Sequence, residues 1–284
     1  MNKAAPTIRV QKVRQNKLQK KLCFFSALAL LLIIASFFSE YLCPYDPYLQ
    51  DLSLAKAPPS SEHLLGADRY GRDMLSRVIA GSKTSILSTL LLVGFITVFG
   101  SLIGITCAWA GKKVDTILMR LSDMFLAFPG LVFALAVAAV LGGGVHNAIF
   151  ALAAISWPKY ARLSRSQTLA QQSAAYMQAA RMAGSSTLKL ICKHVLPNIS
   201  GPILVTAMLD IGTMMMELAG LSFLGLGAKP PIPEWGSMMS DTRNLLPTQP
   251  WVTLAPGFAI FISVMIFNLL GDTLRDYLDP KNRR

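Results

Sequence analysis

Two acids and a group of sulfur side chains within one apolar run could do chemistry. Asp210, Met214 and Glu217 are spaced i, i+4 and i+7, so a helical backbone would place them on one face. Carboxylates in a membrane helix are costly and typically face a solute pathway or a partner inside the bundle. With Met215, these residues form a candidate translocation path suited to a cation or a chelated metal. The alternative is that both acids bond to neighbouring helices while the methionines fill the core.

A second stretch, residues 176–202, predicts a helix, a turn and a second short helix. Ala179 and Ala180 give the first helix a small-residue surface, and Gly184 permits a sharp turn because it adopts positive φ without a Cβ clash. Pro197 is expected to end the second helix, since it lacks an N–H group. A surface of this kind suits docking into a groove on a partner protein. The apolar side of the second helix is predicted to carry Leu188, Ile191, Val195 and Leu196.

This second stretch resembles the coupling loop of ATP-binding-cassette importer permeases. The family pattern is Glu-Ala-Ala, three residues, Gly, nine residues and Ile-x-Leu-Pro, with Gln178 replacing Glu and His194 replacing Ile here. The resemblance implies that a cytoplasmic loop at about 166–199 carries the helix that sits on an ATPase subunit. The plainer alternative is an ordinary cytosolic loop between two membrane helices. The implied coupling residues are Tyr176, Gln178, Ala179, Ala180, Gly184, His194, Leu196 and Pro197.

A wider resemblance, from about His63 to Pro280, points to the dipeptide, oligopeptide and nickel class of these permeases. Residues 210–215 and 261–265 look closer to its nickel branch, although Thr213 and Glu217 stand where that branch often has His. The predicted solute is therefore nickel or a metal chelate, with di- or oligopeptides as the alternative. The class-level similarity is carried by residues 63–77, 222–227, 234–236, 267–272, 274–276 and 278–280.

Composition and apolar runs predict an all-α polytopic membrane protein. Hydrophobic residues make up 53% of the 284-residue chain, and its mean hydropathy is +0.47. Six apolar runs are long enough to cross ~30 Å of hydrocarbon, with the third kinked at residues 128–130 and the fourth interrupted at Trp157-Pro158. The resemblance implies the architecture of a type I importer permease. The predicted spans are 22–42, 85–110, 119–141, 145–162, 199–226 and 251–270.

These spans divide the chain into one membrane domain with short flanking segments. A basic cytoplasmic segment at 1–21 precedes the first transmembrane helix at 22–43 and an extracytoplasmic loop at 44–83. A five-helix permease core at 84–275 and a cytoplasmic tail at 276–284 follow. The loop at 44–83 carries local Asp–Arg pairs, for which the plain interpretation is surface ion pairs of small value.

The distribution of charge predicts the orientation. Of the 27 Lys and Arg residues, 20 fall in the segments expected inside, including 159–193, and 7 fall outside. Both termini and the coupling loop are therefore predicted to be cytoplasmic, in the membrane of a prokaryote. Because the net charge of +12 follows topology, no nucleic-acid partner is expected. The four cysteines show no metal-binding spacing, so no metal site is assigned and no disulfide is expected.

No motif in the chain predicts bond chemistry. A Walker pattern, Gly-x4-Gly-Lys-Ser/Thr, is absent from the sequence, so we expect a non-catalytic subunit that binds no cofactor itself. The resemblance implies a homologous second permease, one or two ATPase subunits that use ATP and Mg, an extracytoplasmic binding protein and membrane lipid as partners. A channel or secondary transporter is the alternative from another class. The coupling-type loop and the lack of an evident inverted repeat weigh against it.

A combined substitution tests the path interpretation. Replacing Met214, Met215 and Met216 with Leu together with Asp210→Asn is expected to lower solute uptake, because the polar and sulfur contacts of the path are removed. Assembly is expected to be preserved. Uptake should be measured beside the amount of protein in the membrane, and unchanged uptake would rule the path interpretation out.

Overall fold

The regular structure of the protein is helical. The computed structural model describes residues 5–279, with side chains from Asn16 onward, and within that range its one non-helical pairing is an isolated bridge between Ala67 and Asp73. A five-residue π-helical turn, Ile191–Val195, joins α8 to α9. The α-helices are α1 (Ala5–Phe37), α2 (Ser39–Leu42), α3 (Met74–Trp109), α4 (Lys112–Leu126), α5 (Gly130–Val140), α6 (Val145–Gln172), α7 (Ala175–Met182), α8 (Thr187–Leu190), α9 (Leu196–Phe223), α10 (Trp235–Thr242) and α11 (Pro250–Leu278).

Several helices are long and apolar enough to cross a membrane, which confirms the polytopic all-α class. Four qualify singly, and α4 with α5 would make a fifth if the bent pair is one span. The count of six crossings stays a prediction, as does the cytoplasmic position of the termini. Residues 1–4 and 280–284 lie outside the described residues, as do the side chains of residues 5–15. The four helices that qualify singly are Asn16–Phe37, Met74–Trp109, Thr187–Phe223 and Pro250–Leu278.

The third and fourth predicted spans differ from the structure. The expected kink at residues 128–130 is a break, because α4 and α5 meet at 90° where Pro129 takes an extended conformation. By contrast, α6 runs unbroken through Pro158, so the predicted interruption there is wrong. Packing against neighbouring helices compensates for a proline inside a membrane helix. Because α6 continues to Gln172, Lys159 lies in the middle of a helix.

Close packing of α3 against α6 organises the bundle. A Cβ atom added at Gly100 would overlap the carbonyl oxygen of Trp157, and one at Gly104 would overlap the carbonyl oxygen of Ala161. Small residues let helix backbones approach in a membrane, where lipid is as apolar as the side chains. Gly94, on the same helix, has no such neighbour within 4 Å. The two helices therefore fit together only because glycine occupies these two contact positions.

The segment between α2 and α3 is held by buried ion pairs. Asp68, Arg72 and Arg77 are only 2%, 4% and 3% exposed, so the interpretation of these charges as surface pairs is wrong. Arg72 contacts Asp68 at 2.7 Å, and Arg77 donates to the carbonyl oxygen of Pro47 at 3.0 Å. Asp73 caps α3 by accepting from the backbone N–H of Ser76 at 2.8 Å. Burial of each charge with a partner fixes the segment over the outer end of α3.

The loop before α10 is tied to the same region. Glu234 is 2% exposed and caps α10 by accepting from the backbone N–H groups of Gly236 and Ser237 at 2.9 and 2.8 Å. Its carboxylate also accepts from the hydroxyl of Ser85 on α3 at 3.3 Å. The indole N–H of Trp235 donates to the carbonyl oxygen of Val78 at 2.8 Å. These bonds join both outer segments to one helix.

A pair of matched substitutions on α3 tests the close packing. Gly104→Ala is expected to lower the free energy of unfolding by about 1–3 kcal/mol, because the added methyl group must push α6 away. Gly94→Ala is expected to be neutral or slightly stabilising, since alanine favours helix and meets no atom there. Thermal unfolding of both variants in detergent measures the difference. Equal stability would contradict the contact.

Candidate coupling surface and intramembrane charge site

The turn between α7 and α8 has the predicted form. Gly184 adopts φ of 78°, and the backbone N–H of Ser185 donates to the carbonyl oxygen of Ala180 at 3.2 Å, which closes the end of α7. The hydroxyl of Ser186 accepts from the backbone N–H of Lys189 at 3.4 Å and caps α8. A Cβ at Gly184 would meet nothing within 4 Å, so the backbone conformation alone favours glycine there.

The predicted stop at Pro197 does not occur. The chain passes from α8 through the π-turn into α9, so that Thr187–Phe223 forms one continuous span. In the π-turn the backbone N–H of Leu196 donates to the carbonyl oxygen of Ile191, five residues earlier. This wider turn comes directly before Pro197 and loosens the backbone where an α-helical proline would clash. The second helix of the coupling stretch is therefore the inner end of a membrane helix.

The buried face of this stretch also differs from the prediction. Met177, Leu190 and Val195 are at most 2% exposed and fix the hairpin on the bundle. Leu188 is 71% exposed, although it was expected on the apolar side with Val195, and Met182 is 84% exposed. Because α8 continues into α9, the register of the continuous helix decides which residues face inward. A helix that ends at Pro197 does not predict this register. Two large apolar side chains consequently point away from the molecule.

The implied coupling residues gather on one hairpin, formed by α7, α8 and the start of α9. Tyr176 donates from its hydroxyl to the side-chain carbonyl of Gln171, and its ring lies 6.0 Å from that of His194. Asn198 donates to the hydroxyl of Tyr176 at 3.3 Å. These contacts join α7 to the inner end of α9. Ala180 and His194 are half-buried, whereas the exposed members are Tyr176, Gln178, Ala179, Gly184, Leu196 and Pro197.

The hairpin rests on the inner ends of α3 and α6. The side-chain amide of Gln172 donates to the carbonyl oxygen of Ala108 at 3.0 Å. The guanidinium of Arg181 lies 5.0 Å from the ring centre of Trp109, in cation–π geometry. Farther along α6, two ion pairs fasten it to α4, between Arg165 and Asp115 and between Arg162 and Asp123.

Deeper in the bundle, Asp210 on α9 forms a charge site with α6. Its carboxylate accepts from the ammonium of Lys159 at 2.6 Å and from the hydroxyl of Tyr160 at 2.9 Å. The Asp210 side chain is 7% exposed, whereas that of Lys159 is 54% exposed. The carboxylate thus bonds to a neighbouring helix, as in the alternative considered from the sequence, and the ammonium reaches the surface of this chain.

The other candidate path residues divide between core and surface. Met214 lies 3.8 Å from the hydroxyl of Ser156, and Met215 is 2% exposed, so both pack inside the bundle. Glu217 is half-buried, and Met216, the residue directly before it, is 57% exposed. The helix face predicted to carry Asp210, Met214 and Glu217 is therefore buried at Asp210 and Met214 and partly exposed at Glu217. Their role in a path stays a proposal.

Sequence reasoning missed Lys159 as a site residue. The charge count includes it only as one of the basic residues of the segment 159–193, which is expected inside. The available signal was a lysine within an apolar run that also had two acids to pair with in another span. Among the residues that the structure describes, no group of three His, Cys, Asp or Glu side chains could hold a metal ion.

Comparison with known proteins places the chain in a family. The family described as "Binding-protein-dependent transport system inner membrane component" matches residues 100–284, more than half of the chain. The protein therefore belongs to this family. It is a multi-pass inner-membrane permease subunit of an ABC importer. The resemblance drawn from its coupling loop and class signatures is confirmed.

Curated relatives share about two fifths of their residues with it. The chain is 41% identical over 256 residues to the probable D,D-dipeptide transport system permease protein of Escherichia coli (strain K12), covering 90% of this chain and 86% of the relative. It is 41% identical over 254 residues to a glutathione transport system permease protein of Pectobacterium atrosepticum, covering 89% and 84%. The nickel transport system permease protein of Escherichia coli (strain K12) is 40% identical over 253 residues, with coverage of 89% and 91%.

A solved structure shares the fold. The inward-facing MetNI methionine ABC transporter superposes with a TM-score of 0.59 at 17% identity, covering 72% of this chain and 98% of that chain. At this identity the likeness concerns the fold alone.

A double substitution tests the intramembrane ion pair. Asp210→Leu is expected to lower thermal stability, by less than the ~3–5 kcal/mol of a fully buried pair, because Lys159 keeps its charge without the carboxylate. Adding Lys159→Met is expected to restore part of the loss, since neither charge then remains. Lys113→Met, at an exposed position on α4, is the control for loss of a lysine. If adding Lys159→Met to Asp210→Leu gave no recovery, the pair would not stabilise the bundle as described.

Proposed function

We propose that the hairpin formed by α7, α8 and the start of α9 is the surface through which a separate ATPase drives solute uptake by this permease. The observation that carries the proposal is its exposed tip, where Met182 and Leu188 are 84% and 71% exposed on a well-anchored base. Exposed apolar side chains that are grouped and rimmed by polar residues mark interaction sites. Arg181, Lys189 and Lys193 surround the tip and complement an acidic groove.

Movement of this hairpin would be transmitted directly to the membrane helices. Only Ser173 and Ala174 separate α7 from α6, and the π-turn joins α8 to α9 without a break. These are the two helices that carry Lys159 and Asp210. A change in the ATPase that tilts the hairpin would therefore shift α6 against α9 and switch access from outside to inside. The energy comes from ATP and Mg bound by the partner.

The partners and solute follow from the family and from the charge site. We infer a second, homologous permease, one or two ATPase subunits and an extracytoplasmic binding protein. Relatives are named for D,D-dipeptide, glutathione and nickel transport, so a small peptide or a metal chelate is the proposed solute. Free nickel is the weaker candidate. Asp210 already pairs with a lysine, so its charge is not free to bind a cation.

Arginine placed on the exposed face of α7 tests the docking surface. Ala179→Arg is expected to reduce co-purification of the ATPase by at least about tenfold, because a long charged side chain would hold the two surfaces apart. Ala179 is exposed, so its replacement leaves the buried side of α7 unchanged. Co-purification from membranes that contain the candidate ATPase subunits measures the effect.

The control for this experiment is Ala55→Arg, the same change at an exposed position of the extracytoplasmic segment. It is expected to leave ATPase recovery unchanged. Full ATPase recovery with Ala179→Arg, or equal loss in both variants, would contradict docking at α7. Amounts of folded permease should be matched by size-exclusion chromatography before comparison.

A further inference from the structure

We propose that Lys159 and Glu217 together bind the two ends of a zwitterionic solute during its passage through the membrane, Lys159 taking its carboxylate and Glu217 its ammonium group. The inference rests on the proposed import function and assigns a binding site within this chain. The two side chains carry opposite charges and lie on neighbouring helices, α6 and α9. Neither side chain uses all of its hydrogen-bonding capacity.

Lys159 and its partner Asp210 both lie near the middle of a long helix. Lys159 is 14 residues beyond the start of α6 at Val145, and Asp210 is 13 residues before the end of α9 at Phe223. At 1.5 Å per residue, each lies ~20 Å from the outer end of its helix. With the helix ends at the membrane surface, that depth is within a hydrocarbon layer of ~30 Å, whereas Glu217, six residues before Phe223, lies ~9 Å from the end of α9. An ionised side chain at this level faces a water-filled cavity or a partner, because contact with lipid is too costly.

Lys159 has unused donors. Its ammonium carries three N–H bonds, and among the described residues its one hydrogen-bond acceptor is Asp210. Because Asp210 is also held by Tyr160 and turned inward, the acid orients the ammonium while leaving its outer side accessible. An incoming carboxylate can therefore bind this side without separating the pair.

Glu217 is the complementary charge. It is half-buried and, among the described residues, has no hydrogen-bond or ion-pair partner. It lies seven residues beyond Asp210 on α9, ~10 Å toward the outer end of the helix. A carboxylate that makes no hydrogen bond or ion pair among the described residues, and that Lys159 influences only at longer range, has capacity to bind an ammonium group. Its position next to the exposed Met216 places it at the surface of this chain.

The spacing and signs define the kind of solute. Two to three extended residues span ~7–11 Å, which matches the separation along α9 between the level of Lys159 and that of Glu217. A solute with an anionic inner end and a cationic outer end satisfies both charges at once. A bare divalent cation carries no carboxylate for Lys159 to bind, so it could contact only the acidic side of the site.

Uptake by the reconstituted complex, with ATP inside the vesicles, tests the assignment. The probes are trialanine, its C-terminal amide, its N-acetyl derivative and free Ni²⁺. Lys159→Gln is expected to lower trialanine uptake about tenfold or more, because a bond to a charged group is lost, and to affect the amide much less. Glu217→Gln is expected to do the same for trialanine and to spare the N-acetyl form.

Conservative variants separate binding from structure. Lys159→Arg and Glu217→Asp keep the charges and are expected to retain most of the uptake. Lys113→Gln removes a lysine from an exposed position of α4 and should behave as wild type. Equal losses for all four probes, no loss for trialanine, or failure of the Arg and Asp variants to rescue would overturn the proposal.

Cysteine labelling supplies a result that does not depend on the probe. Cys23, Cys43, Cys107 and Cys192 are first replaced by Ser. Lys159→Cys and Glu217→Cys are then expected to react with a membrane-impermeant thiol reagent in the assembled complex. Lack of reaction at both positions would place them against lipid or the second permease and overturn the site, even where no probe is carried. Normal ATPase association in these variants would leave the coupling proposal standing, so the two failures are distinguishable.

Discussion

The close approach of α3 and α6 is the contact on which the rest of the molecule depends. Lipid offers helices no hydrophobic gain from meeting, so association relies on close packing, and Gly100 and Gly104 allow it. The position of α6 then determines the remaining sites. Its outer end follows the glycine turn at 142–144, its middle carries Lys159, and its inner end leads into α7. One rigid helix thereby connects the outer face, the membrane charge site and the coupling hairpin.

Charged residues are arranged differently in two regions of this protein. In the segment between α2 and α3, Asp68 and Arg72 are buried and paired, which fixes that segment over the start of α3. Between α6 and α9, Asp210 is equally buried, but Lys159 is half-exposed and Glu217 makes no hydrogen bond or ion pair among the described residues. The first arrangement favours a rigid structure. The second leaves bonding capacity for a group supplied from outside the chain, as a permease requires.

Much of the fold and part of the site could be predicted from the sequence. Long apolar runs predicted the membrane class, because the bilayer imposes length and composition on any helix that crosses it. Gly184 predicted the turn of the coupling hairpin, since its positive φ is a local property. The errors came from prolines. Local rules gave a stop at Pro197 and an interruption at Pro158, whereas a π-turn and packing against neighbouring helices accommodate them. Lys159 was missed for a different reason, because its partner Asp210 on α9 is 51 residues away in sequence.

Site-specific photocrosslinking in native membranes tests the central claim, that the α7–α8 tip contacts the ATPase. A photoreactive residue at Met182 or Leu188, the exposed tip, is predicted to crosslink to the ATPase subunit, and one at Met177 or Leu190, the buried side, is predicted not to. The same pattern should appear whichever solute is carried. Absence of crosslinks from the tip, or equal crosslinking from buried and exposed positions, would contradict the account.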